Sequence, residues 1–158
     1  MKALETEYKG ILFRSRLEAR WAILFDALNL KWVYEPECFI LSNNQKYTPD
    51  FYIKKYDLYI EIKPNFDWIN NEYHYNRYSL FEKQLLVLSG DFPNFDVNCL
   101  FKCYIDDNGV EHNGDVVFCP NTKYEPFFYS GYSLGNNTDG FEEDYKEEMN
   151  IVKQFRFY

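Results

Sequence analysis

Tyr47-Thr48-Pro49-Asp50-Phe51, followed after a short interval by Leu58-Tyr59-Ile60-Glu61-Ile62-Lys63, decides how this chain is read. Both stretches are rich in β-branched and aromatic residues and are separated by the polar Lys54 to Asp57 segment. The pattern predicts a hairpin of two consecutive strands, Tyr47 to Ile53 and Leu58 to Lys63. Pro64 ends the second strand, because proline cannot donate to the ladder. Side chains alternate across a strand, so Leu58, Ile60 and Ile62 face a core while Tyr59, Glu61 and Lys63 share the other face. Ten residues separate Asp50 from Glu61. An ordinary hairpin therefore brings Asp50 close to Glu61 and Lys63, with Pro49 stiffening the approach.

Two carboxylates aimed at one point repel unless a cation joins them. Mg²⁺ suits such a pair, because it takes oxygen ligands in an octahedral array and keeps several waters. A water polarised by the metal beside Lys63 becomes a nucleophile for a phosphodiester, and the metal neutralises charge on the phosphate. Lys63 can orient that water, take its proton if its pKa is depressed, or stabilise developing charge. Each residue also has an ordinary reading. Glu61 and Lys63 fit a solvated surface pair, and Asp50 after Pro49 fits a turn. Their placement on adjacent strands with apolar flanks favours a site.

Upstream, Leu17, Trp21, Leu24 and Leu28 recur at helical spacing, widened by Ala22 and Phe25, and predict a helix from Arg16 to about Asn29. Ser15 is its N-cap. Glu18 either completes a capping box with Ser15 or reaches the site from the first helical turn. Short β-like runs follow at Trp32 to Tyr34 and Cys38 to Leu41, and Asn43-Asn44 marks a turn. Downstream, Glu72 to Ser89 reads as a helix with Tyr73, Phe81, Leu85 and Leu88 inward and Gly90 as its stop. Val97 to Ile105 and Val110 to Cys119 read as a hairpin around Asp106 to Gly109. Asn121 to Asn137 carries no assignable pattern, and a last helix runs from about Gly140 to Phe155. The class is α/β or α+β.

The chain has 158 residues, 46% of them apolar, with 15 Phe, 15 Tyr and 3 Trp, enough to build the core of a single domain. No apolar run reaches membrane-spanning length, and the first ten residues lack a signal peptide's apolar stretch, so a cytoplasmic location is expected. Residues 1 to 63 hold ten Lys/Arg against nine Asp/Glu, whereas residues 64 to 158 hold seven against sixteen. The total of −8 argues against a protein that coats nucleic acid by bulk charge, but leaves room for a local basic track. Cys38, Cys99, Cys103 and Cys119 read as reduced, buried thiols. Cys99, Cys103, His112 and Cys119 lack the paired spacing of a zinc site.

Pro49-Asp50 and Glu61-x-Lys63, preceded by the helix around Phe13-Arg14-Ser15-Arg16-Leu17-Glu18-Ala19-Arg20-Trp21, resemble the PD-(D/E)XK nuclease superfamily. The likeness is greatest to small, often phage-encoded members, including junction-resolving endonucleases, and covers roughly residues 8 to 90. The resemblance implies a mixed sheet of about four strands flanked by helices. Residues 91 to 158 then form an aromatic-rich extension with an acidic C-terminal helix. It further implies Mg²⁺ or Mn²⁺ held by Asp50, Glu61 and the Ile62 carbonyl, with Glu18 as a further ligand. Lys83 or Gln84 fall where many members place an extra polar active-site residue. Arg14, Arg16 and Arg20 suit phosphate contacts beside the site, and Arg77, amid tyrosines, suits a backbone or stacking contact. The expected activity is DNA endonuclease, with the oligomeric state, a homodimer included, left open. The rival expectation is a non-catalytic nuclease-fold protein, such as a phage inhibitor of a host defence complex, binding a basic partner through its acidic C-terminal half.

Overall fold

The computed structural model describes residues 3–65, 67–91, 94–100, 104–105, 111–112, 114–116, 128–130 and 146–157. Its described elements are mostly short strands with helices set among them. A hairpin of β1 (Thr6–Tyr8) and β2 (Ile11–Phe13) leads into α1 (Arg16–Ala27). Lys9 and Gly10 form its two-residue turn with φ of 51° and 76°, the positive pair that matches the twist of a tight hairpin. Then come β3 (Val33–Tyr34), β4 (Phe39–Ile40), β5 (Lys46–Tyr47), β6 (Phe51–Ile53) and β7 (Leu58–Lys63). A 3-10 turn at Asp67–Asn70 and the helix α2 (Glu72–Ser79) cross over to β8 (Leu85–Asp91), followed by β9 (Asn94–Leu100). Two small antiparallel pairs follow, β10 (Tyr104–Ile105) with β11 (Glu111–His112) and β12 (Gly114–Val116) with β13 (Phe128–Ser130). The last described element is α3 (Lys146–Gln154).

The central sheet has five strands in the order β3-β6-β7-β8-β9. Pairing is antiparallel except between β7 and β8, which the α2 crossover makes parallel. The resemblance implies about four strands. The fifth is the two-residue edge strand β3, and the mixed α/β class is as expected.

Both faces of this sheet are covered, and the β7 alternation shows it. Leu58, Ile60 and Ile62 join a core with Trp21, Leu24 and Phe25 of α1 and Met149 and Val152 of α3. Tyr59 joins a second core on the opposite face, with Leu41, Tyr47, Trp68, Tyr78, Phe81, Leu85 and Val87. β8 divides its residues in the same way, Leu86 and Leu88 to the first core, Leu85 and Val87 to the second. A strand buried on both faces reads as a continuous apolar run.

That run accounts for the main departure from the sequence reading. The helix expected over Glu72 to Ser89 ends at Ser79, and Leu85 to Asp91 is a strand. Leu85-Leu86-Val87-Leu88 satisfies helical and buried-strand patterns alike, and a parallel neighbour decides for strand. Gly90 is consequently no helix stop but a strand residue with φ of 99°, opposite Phe95. Tyr47 also leaves the expected hairpin, because β5 pairs with β4 rather than continuing into β6. Val97, Asn98, Cys99 and Leu100, expected to pair downstream, pair with β8 instead. Among the described residues, the hairpin around Asp106 to Gly109 is present as the β10–β11 pair. Cys38 is exposed, contrary to expectation, since it precedes a short strand outside the central sheet. Cys103 and Cys119 lie outside the described residues, as do residues 140–145 of the expected last helix. Among the described residues, no helix is long and apolar enough to cross a membrane.

The strand assignment of β8 carries a stability consequence. Leu86 is fully buried, so Leu86→Ala should lower the unfolding free energy by about 2–5 kcal/mol. Lys83→Ala, on the exposed approach to the strand, should change it by less than about 0.5 kcal/mol. Urea denaturation of the two variants checks this, and equal effects would contradict the assignment.

Candidate active site

Asp50 stands where β6 begins. Phe51 faces Ile60 and Tyr52 faces Tyr59, so extending the register by one residue puts Asp50 opposite Glu61. The Asp50 side chain continues the ladder that its position would otherwise break. Its Oδ2 accepts from the Ile62 backbone N–H at 2.7 Å, and its carbonyl accepts from the Glu35 N–H at 2.8 Å. Its Oδ1 accepts from Arg14 Nη2 at 2.6 Å, while Arg14 Nε reaches Glu35 at 2.9 Å. Glu35 holds φ of 45°, a left-handed conformation uncommon outside glycine.

Glu61 is held as tightly on β7. Its Oε2 accepts from the Tyr47 hydroxyl at 2.9 Å. Its Oε1 accepts from the Tyr78 hydroxyl at 2.9 Å and from Lys63 Nζ at 2.8 Å, with Arg77 Nη2 at 3.6 Å. Asp50 and Glu61 are each only 2% exposed, so neither is the surface residue of the ordinary reading. Charges buried this deeply need partners, and here each of the four carboxylate oxygens has one.

Glu18 is buried on the first turn of α1 and is both a cap and more than one. Ser15 Oγ accepts from the Glu18 N–H at 3.1 Å and donates to Glu18 Oε1 at 2.8 Å. Glu18 Oε2 accepts from the Tyr34 hydroxyl at 2.6 Å, and that hydroxyl accepts from the Arg14 N–H at 3.1 Å. Tyr34 thus ties the Glu18 carboxylate to the residue that grips Asp50.

The electrostatics follow from this crowding. Burial, then the negative charges of Glu61 and Glu18, push the Asp50 carboxyl well above its ordinary pKa, against the Ile62 N–H and Lys63. The Arg14 contact does not reverse that direction, because Arg14 is more than half exposed and solvent screens it. For Lys63, burial alone would lower the pKa, but the Glu61 carboxylate and Tyr78 outweigh it and the net shift is upward. The ammonium is therefore charged, and the role of proton acceptor suggested from sequence is not available in this arrangement. Burial pushes the Tyr47 and Tyr78 hydroxyls up, as does the negative charge of Glu61, so both stay protonated as donors.

The remaining sequence candidates divide. Arg77 turns inward from α2, its guanidinium 4.8 Å from the Tyr47 ring centroid, 5.5 Å from Tyr73 and 5.6 Å from Tyr78. Arg16 lies over the Phe157 ring at 5.9 Å, and Arg20 is half-buried on the same helix. Lys83 and Gln84 are not on a helix. They precede β8, and the Gln84 carbonyl accepts from the Tyr59 N–H. Lys63 lies level with Ser89, so Lys83 and Gln84 sit at the far end of the strand pair from it. The accessory polar groups come from α2 and the preceding hairpin instead: Tyr78, Arg77 and Tyr47, with His74 nearby. Tyr34, Tyr47 and Tyr78 hold the carboxylates, a role not expected of them from sequence, and His74 lies beside them unforeseen. The available signal was chemical, since a buried carboxylate needs donors and tyrosine supplies a hydroxyl on an apolar body.

The donor set fits a hard dication. Asp50 Oδ1, Asp50 Oδ2 and Glu61 Oε2 each accept one bond and keep a second lone pair for a cation, whereas Glu61 Oε1 already accepts from Tyr78 and Lys63. Among the described residues, no three His, Cys, Asp or Glu side chains converge as a metal cage. Mg²⁺ does not need one, because it is commonly bound through one or two carboxylates plus waters and phosphate oxygens. No family model, curated protein or solved structure matches the chain.

The raised Asp50 pKa gives a pH test with a defined sign. The folded state holds the Asp50 proton more tightly than the unfolded chain, whose carboxyl titrates near about 3.9. Stability is thus lost as pH rises from that value through the raised one, as the buried carboxylate ionises. In EDTA, Asp50→Asn should melt higher than wild type near pH 7, with the gap closing toward about pH 4. A variant that melts lower at neutral pH would show that the Arg14 pair dominates instead.

Proposed function

We propose that this chain is a metal-dependent DNA endonuclease of the PD-(D/E)XK type, hydrolysing phosphodiester bonds at Asp50, Glu61 and Lys63. The observation that carries the reading is the pair of buried carboxylates set opposite each other on β6 and β7, with Lys63 Nζ 2.8 Å from Glu61. Mg²⁺ or Mn²⁺ would be held by Asp50 and Glu61, with the Ile62 carbonyl as a further candidate, and would polarise water and neutralise phosphate charge. Glu18, expected as a ligand, does not converge with the two among the described residues and is held by Ser15 and Tyr34 instead. The chain's own residues supply the rest. Asp50 and Glu61 are kept in place by Ile62 N–H, Tyr47 and Tyr78, so little reorganisation accompanies binding. Charged Lys63 stabilises negative charge as it develops on the phosphate oxygens and orients the attacking water. Arg14, exposed yet touching Asp50, is positioned to accept a backbone phosphate and draw the strand to the site.

One observation favours a second reading. Every oxygen of Asp50 and Glu61 accepts from the chain itself, as a purely structural polar network would require. A nuclease-fold protein that binds a partner without catalysis would be built in this way.

Cleavage assays with Mg²⁺, Mn²⁺ and EDTA on duplex, branched and single-stranded DNA separate the two. Asp50→Ala and Glu61→Ala should abolish metal-dependent cleavage. Lys63→Met, which keeps most of the apolar stem, should slow it by about 10² or more while DNA still binds. Wild-type protein inert on every substrate would leave the second reading standing.

A further inference from the structure

Beside the carboxylates, α2 presents an arginine layered among tyrosine rings, a feature that neither the metal nor the phosphodiester chemistry requires. Tyr73 and Arg77 are four residues apart on this helix and so share a face. Arg77 reaches inward to Glu61 at 3.6 Å and rests against the buried Tyr47 ring. Its outer neighbour is Tyr73, which is 56% exposed and 5.5 Å from the guanidinium. The order from inside to outside is therefore carboxylate, guanidinium, open aromatic face.

Two polar atoms on this helix face are unanswered. Arg77 Nε and His74 Nδ1 are buried and have no hydrogen-bond partner among the described residues. His74 is edge-on to Tyr73 at 5.4 Å and stacked near Tyr78 at 6.1 Å. The guanidinium is held by rings, one long ion pair and a hydrogen bond with Tyr78, and its Nε donor is left over. The side chain keeps an exposed edge, 18% of its surface, where a phosphate oxygen can add to these contacts, since arginine presents a fixed fork of donors to such groups. An open tyrosine ring one layer further out matches the π-face of a base, which is accessible only when that base is not stacked in a duplex.

We propose that Tyr73 and Arg77 form a subsite for an unpaired nucleotide next to the scissile phosphate, Tyr73 stacking on its base and Arg77 taking its phosphate. The proposal rests on the nuclease reading and narrows its substrate to single-stranded DNA, or DNA with a single-stranded segment at the cleavage point. A fully paired duplex offers Arg77 a phosphate but offers Tyr73 no base face.

Fluorescence anisotropy in EDTA tests this without any cleavage, using a labelled single-stranded oligonucleotide and the blunt duplex of the same sequence. Wild-type protein should bind the single strand more tightly than the duplex. Tyr73→Ala should weaken single-strand binding roughly 5- to 150-fold, the affinity equivalent of one stacked base, and leave duplex binding unchanged. Tyr73→Phe should retain the single-strand affinity, because the ring and not the hydroxyl makes the contact. Arg77→Ala should weaken both substrates. Equal wild-type affinity for the two DNAs, or a Tyr73→Ala effect that is absent or the same on both, overturns the subsite. Failure of the nuclease reading looks different: no cleavage of any DNA with Mg²⁺ or Mn²⁺, with the strand preference in EDTA intact. Circular dichroism of Tyr73→Ala guards against misfolding, to which an exposed side chain contributes little.

Discussion

The fold is organised around two carboxylates, Asp50 and Glu61, that are taken out of water between a sheet and its covering helices. An unpaired carboxylate in such a place costs several kcal/mol even after relaxation, so its hydrogen bonds become structural requirements. Ile62 N–H fixes the β6–β7 register through Asp50. Tyr78 and Arg77 bring α2 onto the sheet through Glu61, and Tyr47 brings the β4–β5 hairpin to the same carboxylate. Arg14, Glu18 and Tyr34 extend the network to the start of α1. Four separate segments of chain are thus positioned by one polar cluster, with an aromatic core on either side to exclude water from it.

The cluster is close to balanced in charge but not in geometry. Asp50, Glu61 and Glu18 meet Arg14, Lys63 and Arg77, yet Asp50 still holds its proton more tightly than an ordinary carboxyl. Arg14 is largely in water, while Lys63 and Arg77 spend their charge on Glu61. Asp50 is left facing two like charges with one well-screened counterion. A hard dication shared by Asp50 and Glu61 would relieve that repulsion, and the proposed phosphodiester chemistry builds on it. The local cations also reconcile the proposed DNA substrate with an acidic chain, because steering depends on the field at the site rather than on net charge.

Sequence made α1 and the β6–β7 hairpin legible because each has a single dominant periodicity. The stripe through Trp21, Leu24 and Leu28 has one reading as a helix, and the alternation of Leu58, Ile60 and Ile62 has one reading as a strand. Leu85 to Leu88 has two, and only its parallel neighbour, distant in sequence, selects the strand. Glu72 to Ser79 forms the expected helix, and the apolar run beyond it mimics helical continuation. In the site, Asp50, Glu61 and Lys63 were legible because charged residues among apolar ones stand out. Tyr47 and Tyr78 did not, since among 15 tyrosines nothing local marks the two whose hydroxyls reach a buried carboxylate. Lys83 and Gln84 were placed at the site through a helix that the structure ends before them.

The central claim is that Asp50 and Glu61 together make a site for one hard dication, and calorimetric titration of Mn²⁺ into the metal-free protein tests it most directly. The account requires a single equivalent of binding to wild type that disappears in Glu61→Gln, a substitution that keeps the side chain's size and acceptor oxygen while removing its charge. Binding of equal stoichiometry and affinity in Glu61→Gln, or no binding to wild type with DNA present or absent, would contradict it.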